Sequence, residues 1–158
     1  MKRCYQKTDL HFTQLISIEI NAKVDTIMSY LNTTQGIQQW FPQLSFHQEG
    51  GQKYLLFNMD NTSIQMSVLD ETNNTIAFTW GEGTVTLQVI DHQSFAELKL
   101  TEVMPLSYDM LVKDFTGWLC QMDNIKHISE TGKPLPLDMS KFHKEQDILH
   151  GVLKDFEI

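Results

Sequence analysis

Cysteine is scarce in this chain: Cys4 and Cys120 are the only two in 158 residues. Two thiols, one near the start and one in a helical stretch, make no disulfide framework, so the chain reads as reduced and cytoplasmic. Basic charge is scarce as well. Twelve Lys and Arg stand against twenty Asp and Glu, a formal net charge of -8. Binding to phosphate backbones or anionic lipid needs clustered cations, so neither nucleic acid nor a membrane surface is an expected partner. Long apolar runs are missing: nothing approaches the roughly 20 residues of a membrane span. The opening MKRCYQKTDL has no apolar segment behind its charges, which is not the pattern of a secretion signal. It reads as a flexible N-terminus, 1–9. There is no Gly-rich phosphate loop and no GxSxG.

What the chain does contain is ordinary globular material, 41% hydrophobic and 20% charged. Its length suits one domain, able to bury roughly 70% of its unfolded surface without a metal or disulfide. Residues 12–20 alternate, with Phe12, Ile16, Ile18 and Ile20 on one face, which predicts a strand. Val24, Ile27, Met28 and Leu31 switch to helical spacing. A second short helix is expected over 35–40, capped by Thr34 and ended by Pro42. Period two then returns, predicting strands near 44–48, 53–59, 63–69, 75–81, 84–91 and 95–103. Gly50-Gly51, Asp60-Asn61, Asn73-Asn74 and Gly81-Glu82-Gly83 are the turns. Short turns between successive strands imply an antiparallel meander.

The dry face of that sheet carries Leu55, Phe57, Met59, Ile64, Met66, Val68, Ile76, Phe78, Trp80, Val85, Leu87, Val89, Ala96, Leu98 and Leu100, with Leu69 out of phase. Such a face needs a cover. Residues 108–130 provide it: Leu111, Phe115, Trp118, Met122 and Ile125 form one helical stripe, and Gly132 stands where a helix C-terminus wants a left-handed residue. Gly117, mid-helix, is tolerable where another backbone must approach closely. After the linker 133–138, Ser140 can cap a helix over 141–156, with Phe142, Leu149, Val152, Leu153 and Phe156 as its stripe. That stripe should dock on its own domain, on a second copy as a homodimer, or on a protein partner.

The ordered set Trp40-Phe41, Gly50-Gly51 before Tyr54–Phe57, Phe78-Thr79-Trp80, and Asp114-Phe115-Thr116-Gly117-Trp118 followed by Met122, Ile125 and Gly132 resembles the START-like, or SRPBCC, superfamily. The branch it looks like is the one named for homology to the activator of the heat-shock-protein-90 ATPase. The match covers about residues 10–134; residues 135–158, linker and last helix, lie outside it. The resemblance implies an α+β helix-grip fold: a curved antiparallel sheet of about six to seven strands around a long C-terminal helix, two short helices after the first strand, and an apolar pocket between sheet and helix. It implies no single activity, since lipid carriers, hormone binders, cyclases and aromatases share the fold.

The expected ligand-binding residues are Trp40, Phe57, Met59, Met66, Phe78, Trp80, Phe115, Trp118 and Met122. Indoles and thioethers make irregular, adaptable walls suited to a hydrophobic or aromatic small molecule, although the same stripe would also serve as plain core. Trp80 and Trp118 should face each other. His11, His47, His92, His127, His143 and His150 show no metal-ligand spacing, and no cofactor is expected. Cys120 has no activating base nearby and reads as inert. Among the carboxylates, Glu102 alone follows the inward phase of Leu98 and Leu100, near a strand end, and reads as a rim charge. No catalytic residue emerges. Small-molecule binding is the leading reading; a protein-interaction or stress-response accessory domain, and a cyclase-like enzyme, are the alternatives.

Overall fold

The computed structural model describes residues 1–158. Twelve elements follow in chain order: β1 (Lys2–Lys7), β2 (His11–Ile20), α1 (Val24–Asn32), α2 (Thr34–Ile37), β3 (Leu44–Glu49), β4 (Gln52–Met59), β5 (Thr62–Glu71), β6 (Thr75–Trp80), β7 (Gly83–Asp91), β8 (Ala96–Pro105), α3 (Leu111–Thr131) and α4 (Met139–Asp155). The eight strands form one antiparallel sheet in the order β1-β2-β8-β7-β6-β5-β4-β3. The meander β3–β8 is sequential, and its last strand returns to pair with β2 from His11↔Pro105 to Ile20↔Ala96. This is the α+β, helix-grip-like arrangement, with one strand more than expected.

The additional strand is β1. Residues 1–9, expected as flexible, pair with β2 from Lys2↔Ser17 to Lys7↔Phe12. Its sequence, KRCYQK, has no apolar alternation because it is an edge strand with both faces largely in water; only Tyr5 is half-buried. Backbone pairing leaves no hydropathy period to read.

Smaller corrections have local causes. Helix α2 is one turn, Thr34–Ile37, and its cap is Thr33, whose Oγ1 accepts from Gly36 N at 3.0 Å. Thr34 Oγ1 instead accepts from Phe46 N at 2.8 Å, tying the turn to β3. Leu69 breaks phase because it is the extra residue of a bulge: Val68 pairs with Phe78 and Asp70 with Ala77, leaving Leu69 unpaired and outward. Met59 and Ile64 keep the inward phase but sit toward the outer end of the β4–β5 hairpin, 46% and 48% exposed. Alternation sets a face, not how far its cover extends.

Helix α3 lies on the dry face and ends at Gly132, whose φ of 73° gives the left-handed turn that lets its N–H reach Ile128 O. Trp80 and Trp118 meet as expected, ring centroids 5.1 Å apart and steeply inclined at 74°. Cys120 is half-buried on α3, and burial pushes its thiol up, so it stays protonated and unreactive at neutral pH. Nowhere do three His, Cys, Asp or Glu side chains gather to hold a metal ion, and no helix is long and apolar enough to cross a membrane.

The tail helix docks on its own domain. Its cap is Asp138, accepting from Lys141 N, rather than Ser140, which lies inside the first turn. Leu149 and Leu153 are buried with Phe12, Met104, Leu111 and Phe115 in a second core cluster; Val152 and Phe156 pack half-buried at its margin, and Phe142 is also half-buried. Arg3 of β1 pairs with Glu145 at 2.7 Å, Lys7 Nζ donates to Phe156 O at 3.1 Å, and Lys141 pairs with Asp123 of α3. β1 and α4 therefore hold each other. Leu149 is 1% exposed, so Leu149→Ala should lower the unfolding free energy by about 2–5 kcal/mol in urea titration. A loss below about 0.5 kcal/mol, the usual level for surface sites, would mean that α4 is not docked in solution.

Candidate ligand pocket

The first turn of α3, the strap joining β8 to α3, and the loop after α2 converge on one end of the dry face. There they leave a partly open cavity of about 260 Å³. Its walls are the rings of Phe41, Phe57, Trp80, Tyr108 and Trp118 with Met110; Asp114, Lys113, Gln121 and the backbone of Gly117 complete it. Phe41 is central to the ring set, 5.8 Å from both Phe57 and Trp80 and 6.2 Å from Trp118, inclined by 81°, 70° and 50°. Phe57 lies 5.9 Å from Trp80.

Of the nine expected ligand residues, Phe57, Trp80 and Trp118 line this cavity. Trp40 and Phe78 stand behind it, their rings 6.1 and 6.2 Å from Trp118, and Trp40 Nε1 donates to Tyr30 O at 2.8 Å. Met66 and Met122 are buried in the main core. Met59 is half exposed, and Phe115 belongs to the second cluster, stacked on Phe12 at 5.7 Å. Helical spacing placed Phe115 and Trp118 on one stripe, yet three residues along α3 is enough to divide them between two cores.

Phe41, Tyr108, Met110, Asp114 and Gly117 are lining residues that sequence reasoning did not assign. Four of them belong to loops or a helix start, where no periodicity operates. Gly117 could have been found. A Cβ built there meets nothing within 4 Å, so the glycine does not serve a close backbone approach; it leaves open space beside the cavity.

Behind the rings is a polar cluster. Glu102 is fully buried, not a rim charge, because β8 runs on to Pro105 and α3 and α4 close over that end. Its ladder partner Gln14 is equally buried. Gln14 Nε2 donates to Phe115 O at 3.0 Å and approaches Glu102 Oε1 at 3.5 Å, while Tyr5 OH donates to Gln14 Oε1 at 2.8 Å. Trp80 Nε1 donates to Asp114 Oδ1 at 3.0 Å. Glu102 Oε2 and Asp114 Oδ2 are buried without a hydrogen-bond partner, and the Asp114 carboxyl acts on Glu102 as a nearby like charge. Burial first, then the Asp114 carboxyl, holds Glu102 well above its ordinary value of 4.5. Glu102 thus holds its proton to higher pH than a free glutamate does.

This has a sign. The folded state retains a proton on Glu102 that the unfolded chain releases, so its contribution to stability is full below 4.5 and is lost as pH rises through the folded value. Glu102→Gln removes the titration while keeping an amide donor toward Asp114. The stability of the variant relative to the unaltered protein should rise as the pH is raised above 4.5 in urea unfolding; parallel curves would show that folding does not raise the Glu102 pKa.

No protein-family profile matches the chain, and no curated protein does. Solved structures do. A conserved protein of unknown function, EF2215 from Enterococcus faecalis, superposes with a TM-score of 0.88 at 21% identity over 98% of this chain and 91% of that one. CalU16 from Micromonospora echinospora gives 0.72 at 19% identity over 95% and 96%. The Aha1 dimer from Colwellia psychrerythraea gives 0.62 at 17% identity over 77% and 98%. At such identities the likeness is one of architecture: this chain has the helix-grip-like fold of these structures.

Proposed function

We propose that the chain is a binding module for a hydrophobic or aromatic small molecule, held in the cavity between Phe41, Phe57, Trp80, Tyr108 and Trp118. The observation that carries this reading is Gly117. An interior helix glycine costs about 1 kcal/mol against alanine, and here no neighbour demands it; the one thing it provides is space beside the rings. The Trp118 indole N–H agrees with this, being buried without an acceptor in a ring that lines the cavity. Leaving a buried donor unmet costs about 1–3 kcal/mol. At about 260 Å³ the cavity suits one or two rings rather than a lipid chain.

Two features favour binding over the alternatives. Glu102, the carboxyl with the raised pKa, lies behind Asp114 and does not reach the cavity, so it is poorly placed as a general acid. The stripe of α4, which argued for a protein partner, is spent on the chain's own second core.

Gly117→Ala and Gly117→Leu separate stability from binding. Alanine should raise the unfolding free energy by about 1 kcal/mol, because its Cβ meets open space. Leucine should leave the chain folded and fill the cavity. An apolar fluorescent probe should bind the unaltered protein at about one per chain, quenching tryptophan emission, and should not bind the leucine variant. Equal binding to both would place the probe elsewhere and remove this pocket from consideration.

A further inference from the structure

Resting on the pocket assigned above, we propose that its ligand is a small organic cation, a protonated or quaternary amine, set against Asp114 and enclosed by the rings of Phe41, Phe57, Trp80, Tyr108 and Trp118. A carboxylate taken out of water needs a counter-charge. Asp114 Oδ1 accepts from Trp80 Nε1, its Oδ2 is buried without a hydrogen-bond partner, and it takes part in none of the chain's ion pairs. Lys113, the neighbouring cation at the cavity, is exposed and makes no ion pair with it.

The surroundings deepen the negative potential. Burial first, then carboxyls led by Asp114 and Asp109, raise the Tyr108 phenol above its ordinary value, and no cation acts on it in the opposite sense. The rings add to this. Four of them, inclined to one another by 50° to 81°, turn their electron-rich faces in different directions around one space. An ammonium group is attracted by several such faces at once, most strongly where water is excluded. An anionic ligand would meet Asp114, and a neutral one would leave its charge uncompensated.

Three probes of similar size and different charge decide the question: benzyltrimethylammonium, benzyl alcohol and phenylacetate. Each is titrated into the full chain by calorimetry, with the Trp80 and Trp118 indole N–H resonances reporting the site. The ammonium should bind at least about tenfold more tightly than the alcohol, with phenylacetate weakest. Asp114→Asn keeps an oxygen to accept from Trp80 Nε1 and should cut the ammonium advantage to below about threefold. Glu102→Gln should keep it, since the charge on Asp114 remains. Alcohol or phenylacetate binding as tightly as the ammonium would overturn the cation while leaving the pocket in place. No indole shift with any probe would overturn both readings. The comparison on the unaltered protein decides the matter even where a variant fails to fold.

Discussion

Trp118 sets the depth at which α3 lies on the sheet. Its indole is wedged against Trp40, Phe78 and Trp80, with centroids between 5.1 and 6.2 Å, and it is 2% exposed. A helix held that far from the strands leaves the sheet well covered along the middle of α3. At its first turn a gap remains, which Phe41, Tyr108 and the missing side chain of Gly117 shape into a cavity. Core and pocket are thus one packing arrangement. The same ring that closes the hydrophobic layer on one side is a wall of the cavity on the other.

The polar cluster belongs to the same geometry. Glu102 and Gln14 face each other across β8 and β2, inside the layer that α3 and α4 complete. A dry interior makes an isolated carboxylate costly, and the Asp114 carboxyl nearby adds to that cost, so Glu102 keeps its proton to higher pH than a free glutamate. Asp114 in turn anchors the Trp80 indole. That bond ties the first turn of α3 to the ring wall of the cavity. The edge elements protect it: β1 brings Tyr5 to Gln14, and α4 seals Phe12 and Phe115 with Leu149 and Leu153.

Much of this was legible in the residues. Seven of the eight strands, both long helices, the stripe of α3 and the meeting of Trp80 with Trp118 all follow from hydropathy periods and turn residues. Where reading failed, a different force was acting. β1 is held by backbone hydrogen bonds and by one ion pair to α4, Arg3 with Glu145, neither of which leaves a hydrophobic period. Glu102 carries the inward phase openly, but burial depends on the reach of β8 and on helices from elsewhere in the chain. The cavity was placed too broadly, because Trp40, Met66, Phe78 and Met122 share the dry face with the lining rings without touching the space.

Which side of each strand and helix is dry, and hence the α+β sheet-and-helix architecture, is written in the residues, because side-chain periodicity is a local property of the backbone. Which of those dry residues enclose a cavity and which fill a core is settled by packing. That depends on how close α3 comes to β6 and β8 and on where loops such as Phe41 and Tyr108 come to rest. Packing also brings Asp114, one turn before Trp118 on α3, close enough to a glutamate twelve residues earlier on a strand to raise its pKa. Such a pairing is set by packing distances across the domain, and no short-range pattern records them.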